Sequence, residues 1–264
     1  MTMYTGVADA NGDFIVPFSS SYTSGQKVTV TAEKDGATKS IEFNAPSQLP
    51  GLTFSGSMQD FPKNIEEVNI IMSGRLQDYA FSCIGTGTAY DGMIARAATK
   101  INIIGCSEIG RNAFEFSNVL IQDILAISNL QIIGDYAFKL VIKSQEVVVP
   151  AGKTWGNYVF NGAKITKATI ANGLSVIPAG MFYQCAFLIS ASLPASTTNI
   201  GSLVFSGCTS LIELIVLSIT PPTLAPNALT NINSSCVIKV PLASLSAYQA
   251  ANGWSAHASK LVGV

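Results

Sequence analysis

From residue 76 onward the apolar positions fall into one recurring phrase. A large aliphatic residue opens it, polar residues follow, and a small-then-large pair closes it. It reads Leu76-Gln-Asp-Tyr-Ala-Phe81, Ile109-Gly-Arg-Asn-Ala-Phe114, Ile133-Gly-Asp-Tyr-Ala-Phe138, Ile177-Pro-Ala-Gly-Met-Phe182 and Ile200-Gly-Ser-Leu-Val-Phe205. Trp155-Gly-Asn-Tyr-Val-Phe160 is a looser copy. Phe114, Phe138, Phe160, Phe182 and Phe205 are 24, 22, 22 and 23 residues apart, and Leu229 follows after another 24. A period in the low twenties predicts a mainly β solenoid of the leucine-rich repeat class, with about seven coils. The small-large pair is predicted to point inward, so Phe81, Phe114, Phe138, Phe160, Phe182, Phe205 and Leu229 form the repeat core. No coil can bury its own ring, so the neighbouring coils must supply the other wall.

A second pattern recurs roughly ten residues after each ring. Short strand-like runs end in proline: Val147-Val-Val-Pro150, Ala191-Ser-Leu-Pro194 and Val237-Ile-Lys-Val-Pro241. Proline withholds its N–H and ends a strand. Stacked coil on coil, these runs predict a long, mostly parallel sheet.

The first 46 residues follow a different pattern. Lys27-Val-Thr-Val-Thr-Ala32 alternates polar and apolar positions, Glu33-Lys-Asp-Gly36 is a turn, and Thr38-Lys-Ser-Ile-Glu-Phe43 pairs back. This predicts a small antiparallel hairpin with one dry face. Asp13-Phe-Ile-Val-Pro-Phe18, behind Asn11-Gly12, reads as a further strand. Asp9-Ala-Asn-Gly-Asp13 suggests a calcium loop, but Phe14 and Ser20 stand where such a loop needs glycine and glutamate, so it reads as a turn. Residues 47–52, with two prolines and a glycine, form the predicted linker. Residues 53–264 form the solenoid with its C-terminal cap. That cap reads as a helix over Ser244–Ala251, stopped by Asn252-Gly253.

The turn phrase, with Phe205-Ser-Gly-Cys-Thr-Ser-Leu211 and Phe182-Tyr-Gln-Cys185, resembles the BspA-like (Treponema-type) leucine-rich repeat family. The tail, from Pro221-Pro-Thr-Leu-Ala-Pro-Asn-Ala-Leu229 to Leu245-Ser-Ala-Tyr-Gln-Ala-Ala-Asn-Gly-Trp254, is similar to that family's closing segment. The likeness covers residues 70–264 and implies a repeat surface of the sort found in adhesins, host-interaction proteins and phage proteins. Gly6-Val-Ala-Asp-Ala-Asn-Gly-Asp-Phe14 and Ser24-Gly-Gln-Lys-Val-Thr-Val-Thr-Ala32 resemble part of a bacterial Ig-like domain, a type found in bacterial surface and phage tail proteins. A half sandwich exposes an apolar face and free edges. It is therefore expected to pack on the solenoid end or to form a homo-oligomer through the N-terminal domain.

Composition narrows the partners. With 12% charged residues and a net charge of −1, the chain has no field to gather nucleic acid. Mean hydropathy is +0.38, yet no apolar run approaches the ~20 residues of a membrane span, so membrane insertion is not expected. Met1-Thr-Met-Tyr-Thr-Gly6 lacks the positive and apolar regions of a secretory signal. Five cysteines lack Cys-x-x-Cys spacing, and there is one histidine, so no metal site or cofactor is expected. Cys185 and Cys208, each three residues after a repeat ring, are expected to be buried free thiols.

Catalytic chemistry is scarce. His257 is the only histidine and no nucleophile elbow lies near it. Glu66 and Glu67 would point to opposite faces of a strand. Asp78 and Asp135 occupy equivalent repeat positions, which argues for a turn role rather than a glycosidase pair. No phosphate loop occurs. Two features remain for binding. The interval from Phe81 to Phe114 stretches to 33 residues, and the excess lies in residues 84–93, where Tyr90 and Asp91 are candidate contacts on a protruding loop. Tyr79, Tyr136 and Tyr158 each precede a repeat ring by two residues and form either a contact row or a structural ladder. The expectation is a non-enzymatic binding or structural protein. A phage virion component of the tail-fibre, receptor-binding or decoration type leads. Its partners would be other virion or surface proteins and a host-surface protein or glycan. A bacterial cell-surface adhesin is the alternative, and a glycan-active enzyme the remote one.

Overall fold

The computed structural model describes residues 27–34, 37–44, 67–82 and 100–264. The turn at residues 9–13, the strand at 13–18, the linker at 47–52 and the loop at 84–93 lie outside the described residues. Strands β1 (Lys27–Lys34) and β2 (Ala37–Asn44) form the expected antiparallel hairpin, with Val28 opposite Phe43 and Val30 opposite Ile41.

From residue 67 onward every strand pairing is parallel. Strands β3 (Glu67–Leu76), β4 (Lys100–Ile109), β5 (Ile132–Ile133) and β7 (Thr154–Trp155) form one four-stranded sheet. Strands β9 (Val176–Ile177), β11 (Asn199–Ile200) and β13 (Thr223–Leu224) form a three-stranded one. The largest sheet has six strands: β6 (Gln145–Val149), β8 (Ile165–Ile170), β10 (Ser190–Leu193), β12 (Glu213–Val216), β14 (Val237–Val240) and β15 (Leu261–Gly263). Most repeats therefore contribute two strands, a two-residue one before the ring and a longer one after it. A two-residue strand is too short to leave a periodic signal, so the pattern reading predicted only the second kind.

The prolines act as expected at the ends of β6, β10 and β14, and the structure adds the alternating repeats. Ala171 N–H donates to the Val149 carbonyl at 2.9 Å, Leu217 to Leu193 at 3.1 Å and Val264 to Val240 at 2.9 Å. Pro194 and Pro241 fall between those rungs and have no N–H to give, and Pro150 ends the edge strand β6. Strands β8 and β12 lack a closing proline and were not read from the sequence.

The core runs down the repeat axis. Phe81, Phe114, Phe138, Phe160, Phe182 and Phe205 form one stack, with successive centroids 5.4–5.7 Å apart and planes within 16°. Ala113, Ala137, Val159, Met181, Val204 and Ala228, one residue ahead of each ring or of Leu229, are buried with them. Val147, Ala168, Ala191, Leu214, Ile238 and Leu261 form an adjacent buried column from the six-stranded sheet.

In the repeat after Phe114 a short helix, α1 (Ile121–Leu125), stands where later repeats place the long strand. Gln122 Oε1 accepts the Val148 N–H at 3.0 Å, and Gln145 Oε1 accepts the Ile121 N–H at 2.7 Å. The helix thus covers the edge of β6 with side-chain bonds in place of a strand. At the other end a 3-10 turn (Leu242–Ser244) leads into α2 (Leu245–Ala250), close to the predicted helix; extended Ala251 caps it, and Gly253 at φ +81° follows in the turn beyond. Tyr248 and Trp254 pack edge to face at 5.0 Å, fully buried. Tyr248 Oη donates to the Ser218 carbonyl and Trp254 Nε1 to the Pro222 carbonyl, each at 2.7 Å. Strand β15, which follows, was not expected.

Candidate binding surface

The turn before and after each ring determines how its side chains are displayed. The residue two before the ring, or before Leu229, is left-handed in all seven repeats: Tyr79, Asn112, Tyr136, Tyr158, Gly180, Leu203 and Asn227 have φ of 54–62°. The residue two after it is left-handed in six: Phe116, Leu140, Gly162, Gln184, Gly207 and Asn231. This alternation aims every second amide at the next repeat. Asn112, Phe114 and Phe116 donate to the carbonyls of Asp135, Ala137 and Lys139 at 3.1, 2.8 and 3.0 Å. A left-handed residue other than glycine costs about 1–2 kcal/mol, so these bonds must offset strain in most repeats. Asparagine or glycine, which adopt this conformation most readily, stands at Asn112, Gly162, Gly180, Gly207, Asn227 and Asn231.

Tyr79, Tyr136 and Tyr158 therefore sit on strained backbone at one edge of the repeat stack. Tyr136 and Tyr158 stack at 5.1 Å and 6°. The Tyr158 ring lies on Gly180, so close that a Cβ there would be 2.2 Å from two ring carbons, and Tyr183 meets it edge-on at 5.8 Å. The Arg111 guanidinium lies 5.6 Å from the Tyr136 centroid and Lys139 Nζ lies 5.8 Å from it. These two rings use much of their surface on internal contacts and are half-buried. Tyr79 is 48% exposed, and Asn112 separates it from the other two. Tyr90 and Asp91 lie outside the described residues.

Asp78 and Asp135 have the turn role expected of them. Asp78 Oδ1 accepts the Arg111 N–H at 2.8 Å, and Asp135 Oδ1 accepts the Asn157 N–H at 2.7 Å, each bridging to the equivalent residue of the next repeat. Arg75 bonds Asp78 and lies 2.6 Å from Glu108 Oε1. Sequence reasoning missed one cluster on this edge: Glu115 is buried between Asn112 and Lys139. The signal was present, since Glu115 and Lys139 each follow a repeat ring by one residue and so stack in adjacent repeats.

Elsewhere the cysteines among the described residues are sequestered. Cys106, Cys185, Cys208 and Cys236 are buried free thiols. Cys185 Sγ donates to the Phe160 carbonyl at 3.0 Å and Cys208 Sγ to the Phe182 carbonyl at 3.2 Å. Burial pushes Cys185 well up and Cys208 up to about 12, so both hold their protons. Burial, with Lys260 nearby, lowers the pKa of His257. Among the described residues no group of three or more histidine, cysteine or carboxylate side chains could hold a metal ion, and no helix is long and apolar enough to cross a membrane.

Residues 107–234 match the BspA type leucine rich repeat region, in six copies. The chain carries a BspA-type leucine-rich repeat region. The matched segment begins inside β4, spans the rings from Phe114 to Phe205 with Leu229, and includes α1. The C-terminal cap and β3 fall outside it. The tyrosine pair, the Asn112–Glu115–Lys139 cluster and the thiols at Cys185 and Cys208 all lie within it. No curated protein matches the chain.

Proposed function

We propose that this protein is a non-enzymatic recognition module, a β solenoid of about seven coils whose repeat surface binds a protein or a glycan. The observation that carries this reading is the six-copy BspA-type repeat over residues 107–234, built on parallel sheets with its reactive thiols buried. Repeats of this kind present extended surfaces, and their family is typically non-enzymatic. The turn edge bearing Tyr79, Arg111, Tyr136 and Tyr158 is the contact surface in this reading, because tyrosine and arginine are the side chains most enriched at binding hot spots. Tyr90 and Asp91, in residues 84–93, are further contact residues in this reading.

We place the protein in a phage virion, as a tail-fibre, receptor-binding or decoration component. The likeness of residues 6–14 and 24–32 to an Ig-like domain supports this, and the antiparallel pairing of β1 with β2 is compatible with it. A bacterial cell-surface adhesin fits the repeat family equally well. Immunodetection in purified virions and in cell-envelope fractions separates the two: signal in the envelope alone overturns the virion reading. For the surface itself, Tyr79→Ala and Arg111→Ala are expected to weaken binding to host cells at least tenfold while the melting profile is kept. Unchanged binding in both variants, and on deletion of residues 84–93, rejects this edge as the contact surface.

A further inference from the structure

We propose that Lys139 and Asn112 form an intramolecular amide cross-link between adjacent repeats, with Glu115 as the proton-transfer group. Two side chains of the required kinds converge on one buried carboxylate. Lys139 Nζ is 2.7 Å from Glu115 Oε1, and Asn112 Nδ2 donates to Glu115 Oε2 at 2.7 Å. Lys139 approaches Oε1 off the direction of a hydrogen bond, so that oxygen has an ionic contact but no aligned donor. The Glu115 side chain is 4% exposed, that of Lys139 is 30% exposed, and Asn112 is 5% exposed. On the electrophile, Arg111 Nε–H donates to Asn112 Oδ1 at 3.3 Å and would stabilise charge developing on that oxygen.

This grouping differs from the other ion pairs and turn asparagines. Lys167–Glu146 is an exposed pair on the six-stranded sheet, and Lys239–Glu213 is a half-buried one there. Asn227 and Asn231 share the left-handed turn but are exposed. Only at Asn112 does a carboxylate hold an amide and an ammonium together among the described residues.

The chemistry balances without an external reagent. A proton passes from Lys139 Nζ to Glu115, and the freed amine attacks Cγ of Asn112. The tetrahedral carbon carries its negative charge on Oδ1, facing Arg111. Nζ loses a second proton while Nδ2 gains one through Glu115. The Cγ–Nδ2 bond then breaks, ammonia leaves, and the Cγ–Nζ amide remains with Glu115 protonated. Ammonia carries that proton away as ammonium. Proximity supplies the rate, since both reacting groups are held on one carboxylate. The product ties two left-handed turns together covalently, as suits a scaffold that holds its surface under load.

The test is mass spectrometry of the full chain, folded and incubated at mildly alkaline pH. The expected mass is one ammonia, about 17 Da, below the sequence value. Proteolysis should yield a branched peptide joining Asn112 to Lys139. Lys139→Arg keeps the charge next to Glu115 but supplies no amine nucleophile, and Glu115→Gln removes the proton carrier. Both should show the unshifted mass while circular dichroism reports the fold retained. Asn112→Asp should instead lose one water, about 18 Da. A wild-type mass equal to the sequence value overturns the proposal. So does ammonia loss that maps to an asparagine-glycine pair such as Asn172-Gly173, with residues 112 and 139 in separate peptides.

Discussion

Replacing Gly180 by alanine separates the two reasons a repeat turn needs its residue types. Gly180 holds φ +62°, which an alanine adopts at a cost of about 1–2 kcal/mol. The added Cβ would also sit 2.2 Å from Cδ1 and Cε1 of Tyr158. That ring must move, and its stack on Tyr136 at 5.1 Å and 6° goes with it. Such a pair contributes about 0.5–1.5 kcal/mol beyond its buried area. Gly180→Ala should therefore destabilise by about 1.5–3.5 kcal/mol. Denaturant titration followed by fluorescence measures it, with an unchanged slope as the check that the folded state is the same.

The two contributions come apart in a second background. In Tyr158→Ala there is no ring against Gly180, so adding Gly180→Ala should cost only the backbone share, about 1–2 kcal/mol. The coupling between the two sites is then the worth of the ring's seat on glycine. Equal costs in both backgrounds would refute the argument that the glycine exists to seat the tyrosine. A cost below ~0.5 kcal/mol in the wild type would refute the strain argument as well.

Other consequences are open to direct measurement. Phe182 is stacked on both faces, at 5.4 and 5.6 Å, so Phe182→Ala should cost about 3–5 kcal/mol in denaturant titration. Tyr248→Phe leaves the Ser218 carbonyl without its buried donor and should lower stability by about 1–3 kcal/mol, seen as an earlier thermal transition. Cys185 and Cys208 should resist a thiol reagent in the folded protein and react fully once it is unfolded. Stability should also fall at high pH. The unfolded Cys208 thiol ionises near pH 9, whereas the folded one keeps its proton to about 12, so its contribution is intact below pH 9 and lost progressively from 9 to 12.

Much of the fold was legible because its rule is repetition. A ring every 22–24 residues must stack on its neighbours, and the rings from Phe81 to Phe205 do so within 16° of parallel. Proline follows directly on three of the longer strands, which located β6, β10 and β14. The features that escaped are those without a local signature. Strands of two residues, such as Ile132–Ile133, have no period to detect. Strand β12 reads Glu-Leu-Ile-Val and is followed by leucine, so nothing punctuates it. Helix α1 lies in the apolar run of residues 119–133. Its buried Ile121, Ile124 and Leu125 carry helical spacing for little more than one turn, too briefly to outweigh the β pattern around it.

The candidate site was harder to read for a different reason. Tyr79, Tyr136 and Tyr158 were identifiable as a row, but their exposure depends on what stands at the same turn position in the next repeat. Tyr136 is followed there by a tyrosine and Tyr158 by a glycine, so both rings lie down along the stack. Tyr79 is followed by Asn112, whose side chain is turned to Glu115. The relevant neighbour of each residue is thus the one 22, 24 or 33 positions on, and the interval changes from repeat to repeat. Glu115 looks like an ordinary charged turn residue along the chain. Only when Phe114 is aligned with Phe138 does it face Lys139 across the repeat boundary, and only the left-handed turn brings Asn112 back to it. Chemistry in such a fold is encoded across the repeat, so the aligned repeats are the unit in which its polar side chains have to be read.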